Sequence, residues 1–118
     1  MKHLLAATAI VALALTGQPA PAAVPEDAST LRAVCAAEGK FSETTKLICQ
    51  NYIGGAVDAL KLETPPPFCE PYGIADEQFR VAFLFYVQTH PDEARQSAAL
   101  LIKRALAAAY PCRKGGAK

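Results

Sequence analysis

Chemistry-bearing side chains are scarce in this 118-residue chain. It has two histidines, His3 and His90, and His3 sits in the first few residues. No two cysteines are spaced as CxxC, and no GxGxxG, Walker or haem-attachment pattern occurs. Those absences exclude the closely spaced thiolate pairs of most structural zinc sites and the glycine-rich cradles that hold phosphates. Charge of one sign is lacking too, with 12 basic residues against 11 acidic ones. A balanced chain is a poor ligand for nucleic acid or an acidic membrane. No stretch alternates apolar and polar residues as a half-buried strand would, and no internal repeat is present, so neither a sheet fold nor a solenoid is expected.

The one long apolar run, residues 4–15, follows Lys2 and His3 and leads into Thr16, Gly17 and a Pro/Ala-rich stretch. A short positive start, an apolar centre and small residues at Ala20 and Ala22 form the pattern of a secretory signal peptide. About twelve apolar residues are too few to span a bilayer, and no second run follows, so no stable membrane anchor is expected after cleavage. The reading is a signal over residues 1–22, one domain over 23–112 and a disordered basic tail over 113–118. Export places the domain in the periplasm. Loss of Lys2 with the signal leaves acidic and basic residues equal in number.

Four cysteines, Cys35, Cys49, Cys69 and Cys112, lie in the mature part. An even count in a small exported domain is the pattern of a disulfide framework. A zinc site would need scattered thiolates with His90 as the single imidazole, so neither metal nor other cofactor is expected.

Residues 29–38 are good helix formers that stop at Gly39, a natural residue just past a helix end. A second helix begins at Ser42, with Leu47, Ile48, Cys49, Tyr52, Ile53, Ala56, Val57 and Leu60 recurring at helical spacing as its inner stripe. Gly54 and Gly55 interrupt it and suggest close approach by a neighbour. Residues 63–73, with Pro65, Pro66, Pro67 and Pro71, can be neither helix nor central strand. A third helix starts at Asp76 and Glu77, with Phe79, Ala82, Phe83, Tyr86 and Val87 on one face. Val81, Leu84 and Phe85 fill much of the other, so this helix is either central or exposes an apolar strip. His90 and Pro91 end it; Pro91 then suits the first position of a fourth helix, with His90 as its cap and Ala94, Ala98, Leu101, Ile102, Ala105, Leu106 and Ala109 inside. Pro111 stops that helix. The fold class is all-α: a small disulfide-stapled bundle of one short helix and three longer ones.

That topology selects a pairing. The last two helices form a tight hairpin that returns Cys112 beside the loop holding Cys69, and the turn at Gly39 folds the first helix back so that Cys35 meets Cys49. Oxidised thiols are not nucleophiles, and adjacent acids such as Asp76 and Glu77 or Asp92 and Glu93 point to different helix faces and make poor acid–base partners. His90 has a simpler role in its turn. No enzyme is expected.

The ordered set Cys49-Gln50-Asn51-Tyr52-Ile53-Gly54, Phe68-Cys69-Glu70-Pro71, Tyr86 ahead of His90-Pro91, and Ala105-Leu106-Ala107-Ala108-Ala109-Tyr110-Pro111-Cys112 resembles the Rap/Tai immunity proteins of type VI secretion. The likeness covers about residues 45–112. One departure is Ala75, where that family often has a threonine helix cap. The resemblance implies a small, helical, disulfide-bonded periplasmic protein that binds and blocks a peptidoglycan amidase effector. A stiff projecting loop suits such an inhibitor because little conformational entropy is lost on binding. Thr64, Pro65, Pro66, Pro67, Phe68 and Tyr72 are the candidate partner-binding residues, with the outer side of the third helix as a face for a homodimer or another partner. The alternatives are a periplasmic chaperone or acid-stress binder, for which one histidine and a neutral chain are poor equipment, and a structural envelope protein without a cognate toxin.

Overall fold

The computed structural model describes residues 25–39 and 42–113. The expected signal peptide and the tail beyond Arg113 lie outside the described residues. Four α-helices succeed one another: α1 (Ala28–Cys35), α2 (Ser42–Leu60), α3 (Asp76–Thr89) and α4 (Ala98–Ala109), with a 3-10 turn (Pro91–Glu93) between the last two. Among the described residues there is no strand, and the all-α bundle is as expected.

α1 starts because the Asp27 side chain accepts from the Thr30 amide at 2.8 Å and the Ser29 hydroxyl at 2.7 Å. It ends at Cys35, three residues short of the expected limit. Arg80 of α3 closes that end by donating to Cys35 O at 2.8 Å, satisfying a carbonyl that the helix leaves free. Gly39 adopts φ +98°, a left-handed conformation that glycine accepts readily, and the chain turns there toward α2.

α2 buries a narrower stripe than its periodicity predicts. Cys49, Ile53, Val57 and Leu60 are buried, whereas Leu47 and Ile48 are exposed. Nor do Gly54 and Gly55 accommodate a neighbour: a methyl group at either would meet nothing within 4 Å. α3 buries Phe79, Phe83 and Val87 at four-residue spacing and packs against all three other helices, yet Val81 and Phe85 face solvent, so the helix also carries an apolar outer strip.

α4 begins seven residues later than Pro91, and the cause is visible in the backbone. In a continuous helix Ala94 O would accept from Ala98 N. Instead Ala94 O and Gln96 O accept from Ser29 N and Ala28 N, and Ala98 N donates to Glu26 O, at 2.8–3.0 Å. An isolated bridge between Asp27 and Ser97 thus ties the starts of α1 and α4 together. Ser97 is the cap of α4, accepting from Leu100 N at 3.5 Å. The His90 side chain caps neither the 3-10 turn nor α4; it turns back onto α3.

The core lies where all four helices meet, with Leu31, Cys49, Phe83, Leu101, Ile102 and Leu106 completely enclosed. Cys35 is bonded to Cys49 and Cys69 to Cys112, as the hairpin topology requires, across 14 and 43 residues of chain. In the chain-entropy view such loops stabilise by about 3 and about 4 kcal/mol. For a domain whose whole stability is of order 5–15 kcal/mol, either bridge is a large share.

Candidate partner-binding surface

The loop between α2 and α3 is built from its ends inward. Three amides past Leu60 bond back into the last turn of α2, Lys61 N to Val57 O, Leu62 N to Ala59 O and Glu63 N to Leu60 O, at 3.0–3.1 Å. The prolines beyond them have no amide to donate and cannot extend that ladder. At the far side Cys69 N donates to Tyr110 O at 2.8 Å, beside the bond from Cys69 to Cys112. Two ion pairs brace the legs: Lys61 Nζ to Glu70 Oε2 at 2.7 Å and Lys103 Nζ to Glu63 Oε2 at 2.8 Å. The Glu70 carboxylate raises the Lys61 pKa by holding its proton in a hydrogen bond. Exposed pairs of this kind contribute at most about 1 kcal/mol each, so they orient the loop more than they stabilise it.

Phe68 is the anchor. It is 4% exposed and meets Phe79 edge to face at 6.2 Å, and Phe79 meets Tyr110 in the same way at 6.1 Å. This corrects its expected place among the contact residues: an aromatic ring in a loop otherwise rich in proline is the largest apolar group available to fill the space between α3 and the end of α4. Thr64, Pro65 and Pro66 are exposed, Pro67 is half-buried, and Tyr72 stands wholly in solvent. Leu62, at 84% exposure, belongs with them and was missed, because a single leucine past a helix end gives no periodic signal. Gly73 at φ +76° turns the chain toward α3, where Gln78 Oε1 accepts from the otherwise free Ala75 amide at 3.2 Å. That bond is the returning half of a capping box; the Gln78 backbone amide, to which a threonine side chain would offer an acceptor, donates to Ala75 O at 2.9 Å.

A second surface lies along α3. Gln78, Val81, Ala82 and Phe85 form a shallow depression with Ala109 and Tyr110 of the α4 end. It continues past Phe85 toward Thr89, His90, Ala105 and Ala108. The small alanines of α4 leave the Phe85 ring uncovered.

His90, the one imidazole in the described residues, is committed to structure. Its ring stacks on Tyr86 with centroids 3.9 Å apart, and Nδ1 lies 2.9 Å from Tyr86 O and 3.0 Å from Thr89 Oγ1. The Thr89 hydroxyl is itself bonded to Phe85 O at 2.9 Å. The Tyr86 hydroxyl donates to Glu93 Oε2 at 2.8 Å, and Glu93 also pairs with Arg104, which reaches Gln96. Burial first, and then the Glu93 bond, raise the Tyr86 pKa. This closed network fastens the α3–α4 turn, and the Thr89 hydroxyl facing the imidazole is itself tied to the backbone of α3. Among the described residues no group of His, Cys, Asp and Glu could hold a metal ion, and no helix is long and apolar enough to cross a membrane.

The braced loop and the apolar strip stand on a scaffold whose residues 27–112 match the model of the Rap1a immunity proteins. The chain belongs to that family. The match takes in all four helices and both disulfides. No curated protein and no solved structure matches the chain. Membership implies binding of a cognate effector, and the loop and the α3 strip are exposed apolar surfaces of this member, alongside Leu47 and Ile48 of α2.

Proposed function

We propose that this Rap1a-family protein is a periplasmic immunity protein that binds a peptidoglycan amidase delivered by type VI secretion and blocks its active-site cleft sterically. The observation that carries the reading is the contrast within residues 61–75. The base of the loop is pinned by Phe68, a disulfide and two ion pairs, while Leu62, Thr64, Pro65, Pro66 and Tyr72 stand exposed. Exposed apolar groups on a stiff support lose little conformational entropy when covered, and an aromatic among them is a common anchor. Family membership and the two disulfides support the periplasmic location, where oxidation is sustained.

The test is direct inhibition. Purified mature protein, added to a peptidoglycan amidase effector of type VI secretion from the same genome, is expected to abolish peptidoglycan cleavage at one equivalent, and Tyr72→Ala is expected to weaken the complex roughly ten-fold or more. An amidase that stays fully active with the protein in excess would sink the proposal.

A further inference from the structure

We propose that the bond between Cys69 and Cys112 is a redox-addressable clip on the 61–75 loop, opened by a dithiol reductant that leaves the bond between Cys35 and Cys49 closed. Its consequence for a partner rests on the proposed role of that loop; the chemistry does not.

The two bridges differ in access. Cys49 is fully enclosed and Cys35 is 5% exposed, joining two helices in the core. Cys112 is exposed and Cys69 half-buried, and Cys112 lies past the end of α4, outside any helix. Thiol exchange requires a thiolate to reach one sulfur from the side opposite its partner, so access decides which bond reacts first. Cys112 Sγ also sits 3.9 Å from Pro66 O; sulfur in a disulfide carries no proton, so this is a packing contact rather than a hydrogen bond.

Opening proceeds in two balanced steps. A reductant thiolate attacks Cys112 Sγ, forming a mixed disulfide and expelling the Cys69 thiolate. The reductant's second thiolate then attacks its own bridged sulfur and releases the Cys112 thiolate. Two electrons pass from the dithiol, which ends as a disulfide, and the two cysteines take up the two protons it gives up.

The loop does not detach when the clip opens. Phe68 remains in the core, and Cys69 N still has Tyr110 O as an acceptor. What is lost is the covalent tie between the loop and the end of α4; the packing of Phe68, the bond from Cys69 N to Tyr110 O and the Lys103–Glu63 pair remain, and the Lys61–Glu70 pair joins only the two legs of the loop. The helices stay packed and the loop loosens.

Graded dithiothreitol on the oxidised mature protein at neutral pH, with acid quench, thiol alkylation and peptide mapping, tests the selectivity. Cys69 and Cys112 are expected to be labelled at least roughly ten-fold faster than Cys35 and Cys49. Both bridges opening together, or loss of helical circular dichroism as Cys69 is labelled, would overturn the proposal. Hydrogen exchange at short times on the selectively reduced protein and on Cys69→Ser/Cys112→Ser should be faster over residues 68–75, while α1 and α2 change only as far as the lower global stability requires. Unchanged exchange in the loop would also overturn it. Failure of the oxidised protein to inhibit an amidase would remove the functional reading and leave this one standing.

Discussion

Phe68 and Tyr72 lie four residues apart in one loop and have opposite surroundings, the first enclosed and the second bare. Their substitutions should separate stability from binding. Phe68→Ala is expected to destabilise the domain by about 3–5 kcal/mol, the usual result of emptying a buried aromatic site. Tyr72→Ala should change stability by less than about 0.5 kcal/mol, because the ring has no packing to lose. Urea unfolding of both variants decides this, and equal losses would mean that the loop packs as one unit. Asp27 gives a pH signature. Donation from the Ser29 hydroxyl, and then from the Thr30 amide, holds its carboxyl at about 2 instead of the ordinary 3.8. A carboxyl depressed by folding contributes stability that is complete above about pH 4 and is lost as pH falls through its folded value. Asparagine still caps a helix, but without the charge. The melting temperature of Asp27→Asn should therefore lie below that of the parent at pH 7 and converge on it between pH 4 and pH 2. A gap that stays constant would rule out the charged cap.

At the scale of elements, α2 holds the clearest surplus. Gly54 and Gly55 weaken the middle of a 19-residue helix, yet the space beside each is open. Gly55→Ala should stabilise the protein by about 0.5–1 kcal/mol, the difference in helix propensity, as read from the denaturation midpoint. Destabilisation would mean that the added methyl group meets a neighbour on this face and that the space beside Gly55 is not open. α3 and α4 show where periodicity reads well and where it does not. The four-residue spacing of Phe79, Phe83 and Val87 picks out the buried face correctly. The late start of α4 escapes any local pattern, because it depends on hydrogen bonds from residues 26–29, some 70 positions earlier in the chain. Exposure of Leu47 and Ile48 is of the same kind: apolar residues at helical spacing indicate a face, but not how far the neighbouring helix reaches along it.

For the whole molecule, the two disulfides close loops of unequal length around a small core. Removing the longer one in Cys69→Ser/Cys112→Ser should cost about 4 kcal/mol in the chain-entropy view and lower the melting temperature by roughly 15 °C or more. A calorimetric shift of only a few degrees would mean that the unfolded chain is already restricted. Helix number, the loop between α2 and α3, the cysteine pairing and family membership were all legible in the residues. They derive from properties that act locally or topologically: proline's missing donor, glycine's left-handed turn, the period of apolar positions and the return of a hairpin to its origin. The candidate surface was legible only in outline. Thr64, Pro65, Pro66 and Tyr72 are exposed, Phe68 is not, and Leu62 gave no sign in advance.

The amino-acid sequence by itself determined that this is a helical protein held by Cys35–Cys49 and Cys69–Cys112, because helix spacing and the hairpin leave those pairs as neighbours. Tertiary structure alone decided which aromatic ring is buried and which is exposed, where α4 begins, and that α3 shows Val81 and Phe85 to solvent. Each of those outcomes depends on how much room the other helices leave, and that is set by packing between segments far apart in the chain.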